Sequence, residues 1–277
     1  MTTEHAPTAT STPVTPGFVD VLKSEWIKVR SVRATFIQAI LSVGLGLGMT
    51  ALFCVAIGSA WDELSAQDRA TINAAEFGSI GAFFALIVLI VFGVMTVSSE
   101  YTSGMIRLTL TATPRRTSVL TAKVLLIVGV TLALGFVVCF GSFFVAQAVF
   151  GAYGEVETAS ITETDALRSV FGSWLTIPVF PLLGAAAAVV LRSTAMSITA
   201  TLGLLFVPAV FGGILPEALQ EDIVRYFPNF AVDSLTTSDP EGASTTRLPA
   251  GAAIGVLAAW LAAFYFAAYV SLVRRDV

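Results

Sequence analysis

An all-α polytopic membrane protein with six transmembrane helices is the fold that this sequence predicts. Three observations carry that expectation: the composition, the placement of the charges, and the lack of any two-residue alternation. Hydrophobic residues are 56% of the 277 and charged residues 12%, against ~25% charged in a typical soluble domain. With a mean hydropathy of +0.84, folding alone could not hide so much apolar surface from water. Six stretches carry no Asp, Glu, Lys or Arg: 34–61, 77–99, 124–154, 169–191, 193–216 and 248–273. Each exceeds the ~20 apolar residues that cross a ~30 Å hydrocarbon core, where a central charge would cost ~2.5 to 3.5 kcal/mol. The strands of an outer-membrane barrel would be shorter and would alternate with a period of two, and no such pattern is present.

Taken in order, residues 1–16 are rich in Thr, Ala, Ser and Pro and read as a disordered tail, not a cleaved signal peptide. A single transmembrane domain is expected over 17–277, with spans near 35–60, 77–98, 115–150, 169–191, 194–215 and 250–273. If the N-terminus is cytoplasmic, eleven of the fifteen Lys and Arg fall inside and only Arg69, Arg168, Arg225 and Arg247 outside. The positive-inside rule therefore places both termini in the cytoplasm of a multi-pass cell-membrane protein.

Before the first span, 18–33 sets Phe18, Val21, Leu22, Trp26, Val29 and Val32 on one face of a helix, with Lys23, Lys28 and Arg30 opposite. Glu25 and Ile27 do not fit this wheel. An interfacial helix and a plain basic membrane anchor both account for the segment, and Trp26 suits the headgroup level either way. Between spans two and three, 100–116 contains Met105, Ile106, Leu108 and Leu110, more apolar residues than a bare loop needs. Thr113 and Pro114 look like the N-cap and first position of the third helix, whose wet first turns Arg115, Arg116 and Lys123 would line.

Several chemistries are excluded. The one histidine, His5, lies in the tail, so a folded Ser/His/Asp triad, zinc helix or haem ligand cannot be assembled. No lysine follows a glycine, so there is no P-loop. The spans lack the titratable groups on which ion-coupled carriers rely. Cys54 and Cys139 lie inside spans and offer neither a disulfide framework nor a metal site. With a net charge of -4, no concentrated basic face points to nucleic acid. Glu155, Glu157, Glu163 and Asp165, in an outer loop, show no catalytic spacing. The chain is expected to be non-enzymatic, and if it moves something, another chain must supply the energy.

The runs 22–31 and 100–107, followed by Ala112-Thr113-Pro114-Arg115-Arg116 and Lys123, resemble the membrane subunits of type-2 ATP-binding cassette exporters. That likeness spans 18–277. It implies an interfacial helix carrying Trp26, Lys28 and Arg30, and a cytoplasmic coupling helix that docks on a separate ATPase through Glu100, Tyr101, Gly104 and Arg107. It also implies that Pro114, Arg115 and Lys123 open the third helix, and that short external helices lie between spans five and six, near 216–235 and interrupted at Pro228-Asn229. The implied partners are a cytoplasmic ATPase that carries ATP and Mg, a second permease copy or homologue, and membrane lipid. This chain is expected to hold no cofactor itself. The same likeness implies an ATP-driven permease, in which a path lined by phenylalanines would favour a hydrophobic or amphipathic cargo; a non-transporting anchor or signalling protein is the competing reading. Arg outnumbering Lys twelve to three points to a bacterial source. Phe83, Phe84, Phe92, Phe136, Phe140, Phe143 and Phe144 either line a path or pack against helices and lipid. Gly44 with Gly48, Gly184 with Ala188, and Gly255 with Ala259 permit close helix approach.

Overall fold

The computed structural model describes residues 17–105, 116–154, 156, 158–212, 214–237 and 246–274. Among these residues all regular structure is helical. The helices are α1 (Phe18–Ser31), α2 (Arg33–Ser59), α3 (Ala66–Thr71), α4 (Gly78–Thr102), α5 (Arg116–Tyr153), α6 (Thr164–Thr176), α7 (Val179–Leu191), α8 (Thr194–Gly212), α9 (Glu217–Asp222), α10 (Pro228–Thr236) and α11 (Ala250–Arg274). Six segments among the described residues are long and apolar enough to cross a membrane: α2, α4, α5, α6 joined to α7, α8 and α11.

The most apolar of them, α4, is the central one. It packs against α2, α5, α6, α7 and α8, because its glycines let neighbours in on opposite sides. A Cβ at Gly93 would collide with the Pro181 carbonyl, and one at Gly81 with Ser142. Phe92, Val94 and Val97 of α4 then meet Leu120 and Ile127 of α5, Ala188 and Val189 of α7, and Ala268 of α11 in one buried cluster.

The fourth span departs from the expected 169–191 by starting at Thr164. Arg168 had marked its boundary, but its Nη2 donates to the Ser234 carbonyl of α10 at 2.7 Å, so this charge is taken up by protein. The same span is broken at Ile177-Pro178, where proline removes a backbone donor. Pro178 keeps a helical φ of -69°, and α6 and α7 together make one apolar span. Pro208 lies inside α8.

Two short helices, α9 and α10, lie between α8 and α11. Pro228 does not interrupt a helix there; it opens α10, where its missing N–H is one of the groups a helix start leaves unbonded in any case. Residues 238–245 lie outside the described residues, as do Glu155 and Glu157. Glu163 Oε1 accepts the Ser160 N–H at 2.6 Å at the start of α6, a turn-closing role.

The phenylalanines divide. Phe92 and Phe143 are buried in the core, whereas Phe83, Phe136 and Phe144 are exposed on the outside of the chain. Gly184 packs within the chain, against Val94 and Thr201, but a Cβ on Gly44, Gly48 or Gly255 would meet open space. Those three glycines are not intrachain contacts.

Candidate functional site

The wheel drawn for α1 is corrected by its packing. The side turned to the bundle holds Val21 and Glu25, with Leu22, Lys28 and Val29 half-buried, while Phe18, Trp26 and Val32 are exposed. Glu25, which the wheel could not place, is only 2% exposed. It lies there because α1 crosses the start of α5, where Val21 meets Val119 and Ala122 and Lys123 stands ready to pair.

Lys123 is not on a wet turn as expected. It is 4% exposed, and its Nζ donates to Glu25 Oε2 at 2.7 Å, to Glu100 Oε1 at 2.8 Å and to the Thr96 carbonyl at 3.3 Å. Lys28 Nζ donates to Glu25 Oε1 at 2.6 Å and to the same Glu100 Oε1 at 2.8 Å. Each lysine therefore bridges both carboxylates, and four formal charges cancel in one contact group drawn from α1, α4 and α5. Burying any one of these ions alone would be costly, so the group stands or falls together. Burial pulls the Lys28 pKa down, but the hydrogen bonds and charges of Glu100 and Glu25 outweigh it and leave the pKa above the ordinary 10.5. A raised lysine pKa stabilises below the unfolded value and fades only as the pH climbs through the folded one, so Lys28 stays charged at any physiological pH.

Two more ties join the same end of α4. The Arg192 guanidinium lies 5.5 Å from the Tyr101 ring centroid, a cation–π contact. Thr194 Oγ1 and Ser98 Oγ are 2.9 Å apart. Arg192 caps α7 in the left-handed region, at φ 52°, which a long side chain adopts only where its surroundings hold it. Over 96–101, then, α4 holds α1, α5 and the α7–α8 corner.

Beyond this junction Gly104 turns the chain at φ 69°, a conformation that glycine adopts at no steric cost. The structure thus brings Glu100 together with Lys28 and Lys123, and sets Tyr101 and Gly104 beside them. Trp26 and Arg30 are exposed on α1 and stand outside the cluster. Arg107, Pro114 and Arg115, with Thr113, lie outside the described residues. Sequence reasoning missed Glu25, Thr96, Ser98, Arg192 and Thr194. A signal existed for Glu25 alone: an acid on an otherwise apolar helix face, in a chain whose third span carries a lysine near its start.

Among the described residues, cavities adjoin the bundle. One of about 360 Å³ lies between α1, α2 and α4, with the charge cluster at one end. A second, of about 300 Å³, lies among α4, α5, α7 and α11 and is almost wholly apolar. The third, of about 270 Å³, is at the opposite end of the bundle, between α4, α6, α7, α8 and α10, and includes Phe83, Phe206, Asn229 and Asp233. No group of three or more His, Cys, Asp or Glu able to hold a metal occurs among the described residues.

Six apolar spans with a charged junction at one end define a multi-pass membrane protein. Residues 23–277 match the family described as ABC-2 family transporter protein, and the chain belongs to that family. It is accordingly a membrane component of an ATP-binding cassette transporter, of the permease kind that works with an ATP-binding subunit. Comparison with curated proteins finds no match.

Proposed function

We propose that the chain is the permease subunit of a type-2 exporter and moves a hydrophobic or amphipathic substrate across the cell membrane, driven by ATP hydrolysis on a separate cytoplasmic subunit. The junction at the end of α4 is the observation that carries this reading. The element that would couple to the ATPase, with Glu100, Tyr101, Gly104 and Arg107, opens on residues that grip α1, α5 and the α7–α8 corner. A displacement delivered to that segment reaches three helix ends at once, because buried ion pairs and packed helices shift as units. The uneven charge distribution supports cytoplasmic termini. The open faces at Gly44 and Gly48 support a second permease copy or homologue, with the path between the two halves. ATP and Mg belong to the partner subunit, and Arg107, Pro114 and Arg115 to the docking segment and the start of α5.

The test is an affinity pull-down in mild detergent, comparing wild type with a Gly104→Pro, Arg107→Glu variant and assaying ATP hydrolysis in the eluate. Neither residue lies in a span, so the variant should insert normally. Wild type is expected to bring down an ATPase of nucleotide-binding-subunit size, and the variant to lose it. Wild type free of ATPase in detergent and in nanodiscs alike would overturn the reading in favour of a membrane anchor.

A further inference from the structure

The apolar cavity among α4, α5, α7 and α11 arises because α11 leans on α7 and touches α5 little, and because the positions facing it are small. Ala185 and Ala186 of α7 and Ala262 and Ala268 of α11 border a space of about 300 Å³. Val97 and Ala185 on its floor are buried, whereas Ala262 and Tyr265 at its mouth are exposed. Leu125 and Phe266, on the helices either side of that mouth, are exposed as well. Exposed apolar side chains on spanning helices face hydrocarbon, so acyl chains and not water meet the opening.

The shape follows from the helix directions. As alternate spans, α5 runs opposite to α7 and α11, and Thr121 of α5 is level with Tyr265 of α11, their hydroxyl oxygens 3.4 Å apart. Leu120, Lys123 and Ala268 therefore border the end of the cavity nearer the charge cluster, and Ile127, Leu182 and Leu261 the end nearer the middle of the bundle. From Leu261 to Ala268 is about 10 Å of helix. The cavity is a slot parallel to the spans, the direction in which acyl chains lie.

Its polarity selects the occupant. Of the groups that line it, Lys123 Nζ already has three acceptors, and the Tyr265 hydroxyl has Thr121 beside it. A water molecule needs two to four polar partners, which these walls do not offer. An aliphatic chain needs none, and it supplies the dispersion contacts that apolar walls otherwise forgo. Tyr269, exposed one turn beyond Tyr265 toward the α1 end, suits the depth where hydrocarbon gives way to headgroups.

We infer that the slot binds one acyl chain of a membrane phospholipid from the leaflet at the α1 end, and selects the chain and not the headgroup. The chain enters between α5 and α11 over Ala262 and lies along Val124 and Ala186; the headgroup stays outside, near Tyr269. The inference rests on the membrane placement of the spans and not on the ATPase coupling, so the two fail separately.

The test is native mass spectrometry of the full-length chain, delipidated and then exposed to dioleoyl phosphatidylcholine, dioleoyl phosphatidylglycerol or the short-chain dihexanoyl phosphatidylcholine. Wild type should retain one copy of either dioleoyl lipid to a similar extent, and the dihexanoyl lipid about tenfold less or weaker still, since it leaves the deep half of the slot without contacts. Ala262→Trp, which plugs the mouth at an exposed position, should lose the dioleoyl lipids. Adding dioleoyl phosphatidylcholine should raise the melting temperature of wild type by a few degrees and leave that of Ala262→Trp unchanged. In nanodiscs, a phosphatidylcholine with a mid-chain diazirine should label Leu182 or Ala186 in wild type and neither in Ala262→Trp. No retained lipid on wild type, equal retention of the dihexanoyl lipid, a strong preference between the two dioleoyl headgroups, or labelling confined to Leu125 and Phe266 would each overturn the inference. So would displacement of the phospholipid by equimolar oleate, which would make the occupant a free acid, or a disulfide between copies of Tyr265→Cys, which would put a second copy over the mouth.

Discussion

At the scale of single residues, Lys123 decides how the α1 end of this permease is held together, because it is the most enclosed cation in the cluster and touches both carboxylates. Lys123→Met leaves Glu25 and Glu100 with Lys28 alone between them. Removing one partner of a buried pair costs about 3 to 5 kcal/mol, and the surviving Lys28 places this variant toward the lower figure. Thermal unfolding of the purified chain in detergent checks it, and Glu25→Gln in the same background should recover part of the loss, since the two sites are directly coupled. A Lys123→Met protein that melts with wild type would show that the cluster contributes nothing. The sequence made Lys28, Glu100 and Lys123 visible as candidates but left Glu25 as a misfit. A helical wheel assumes that the face turned inward is apolar, and it cannot represent an acid whose partner is 98 residues away. Arg192 and Thr194 were illegible for a related reason, because a cation in a short turn reads as a topology signal unless its neighbour Tyr101 is known.

At the scale of elements, the six spans were legible because charge and length are local properties, and a membrane leaves few alternatives once both are fixed. Their ends were less so. Arg168 sits inside the fourth helical span because α10, remote in sequence, supplies the carbonyl that receives it. The α4 terminus gives the sharper test of how an element ending serves function. Gly104 is left-handed and has open space where a Cβ would be, so a substitution there strains the backbone without a clash. Ala in that region costs about 1 to 2 kcal/mol and Asn less, while Pro, locked near φ -65°, cannot adopt it. If the turn aims the docking segment at the ATPase, recovery of the ATPase in pull-down should fall in the order Gly, Asn, Ala, Pro at position 104. Equal recovery across the series would mean that the turn only ends α4 and that the partner is held elsewhere.

At the scale of the whole molecule, coupling depends on which end of the bundle faces the cytoplasm. The end bearing α1, the charge cluster and Gly104 carries most of the Lys and Arg, and the opposite end carries α3 and the Ser160 turn that leads into α6. The positive-inside rule therefore predicts a definite labelling pattern. Cys54 and Cys139 are both buried and free, so replacing them with alanine gives a cysteine-free background with little surface change. Single cysteines at the exposed positions Ser24 and Ser103 then report the α1 end, and those at Ser65 and Ser160 the other. A membrane-impermeant maleimide applied to intact cells should label Ser65→Cys and Ser160→Cys and spare Ser24→Cys and Ser103→Cys until the membrane is permeabilised. The reversed pattern would put the charge cluster on the outside, where no ATP-binding subunit could reach the segment after Gly104, and the coupling reading would fall with the topology. The expected pattern joins the scales: charges that set the orientation also supply, through Lys28 and Lys123, the contacts that bind the surface helix to the spans beneath it.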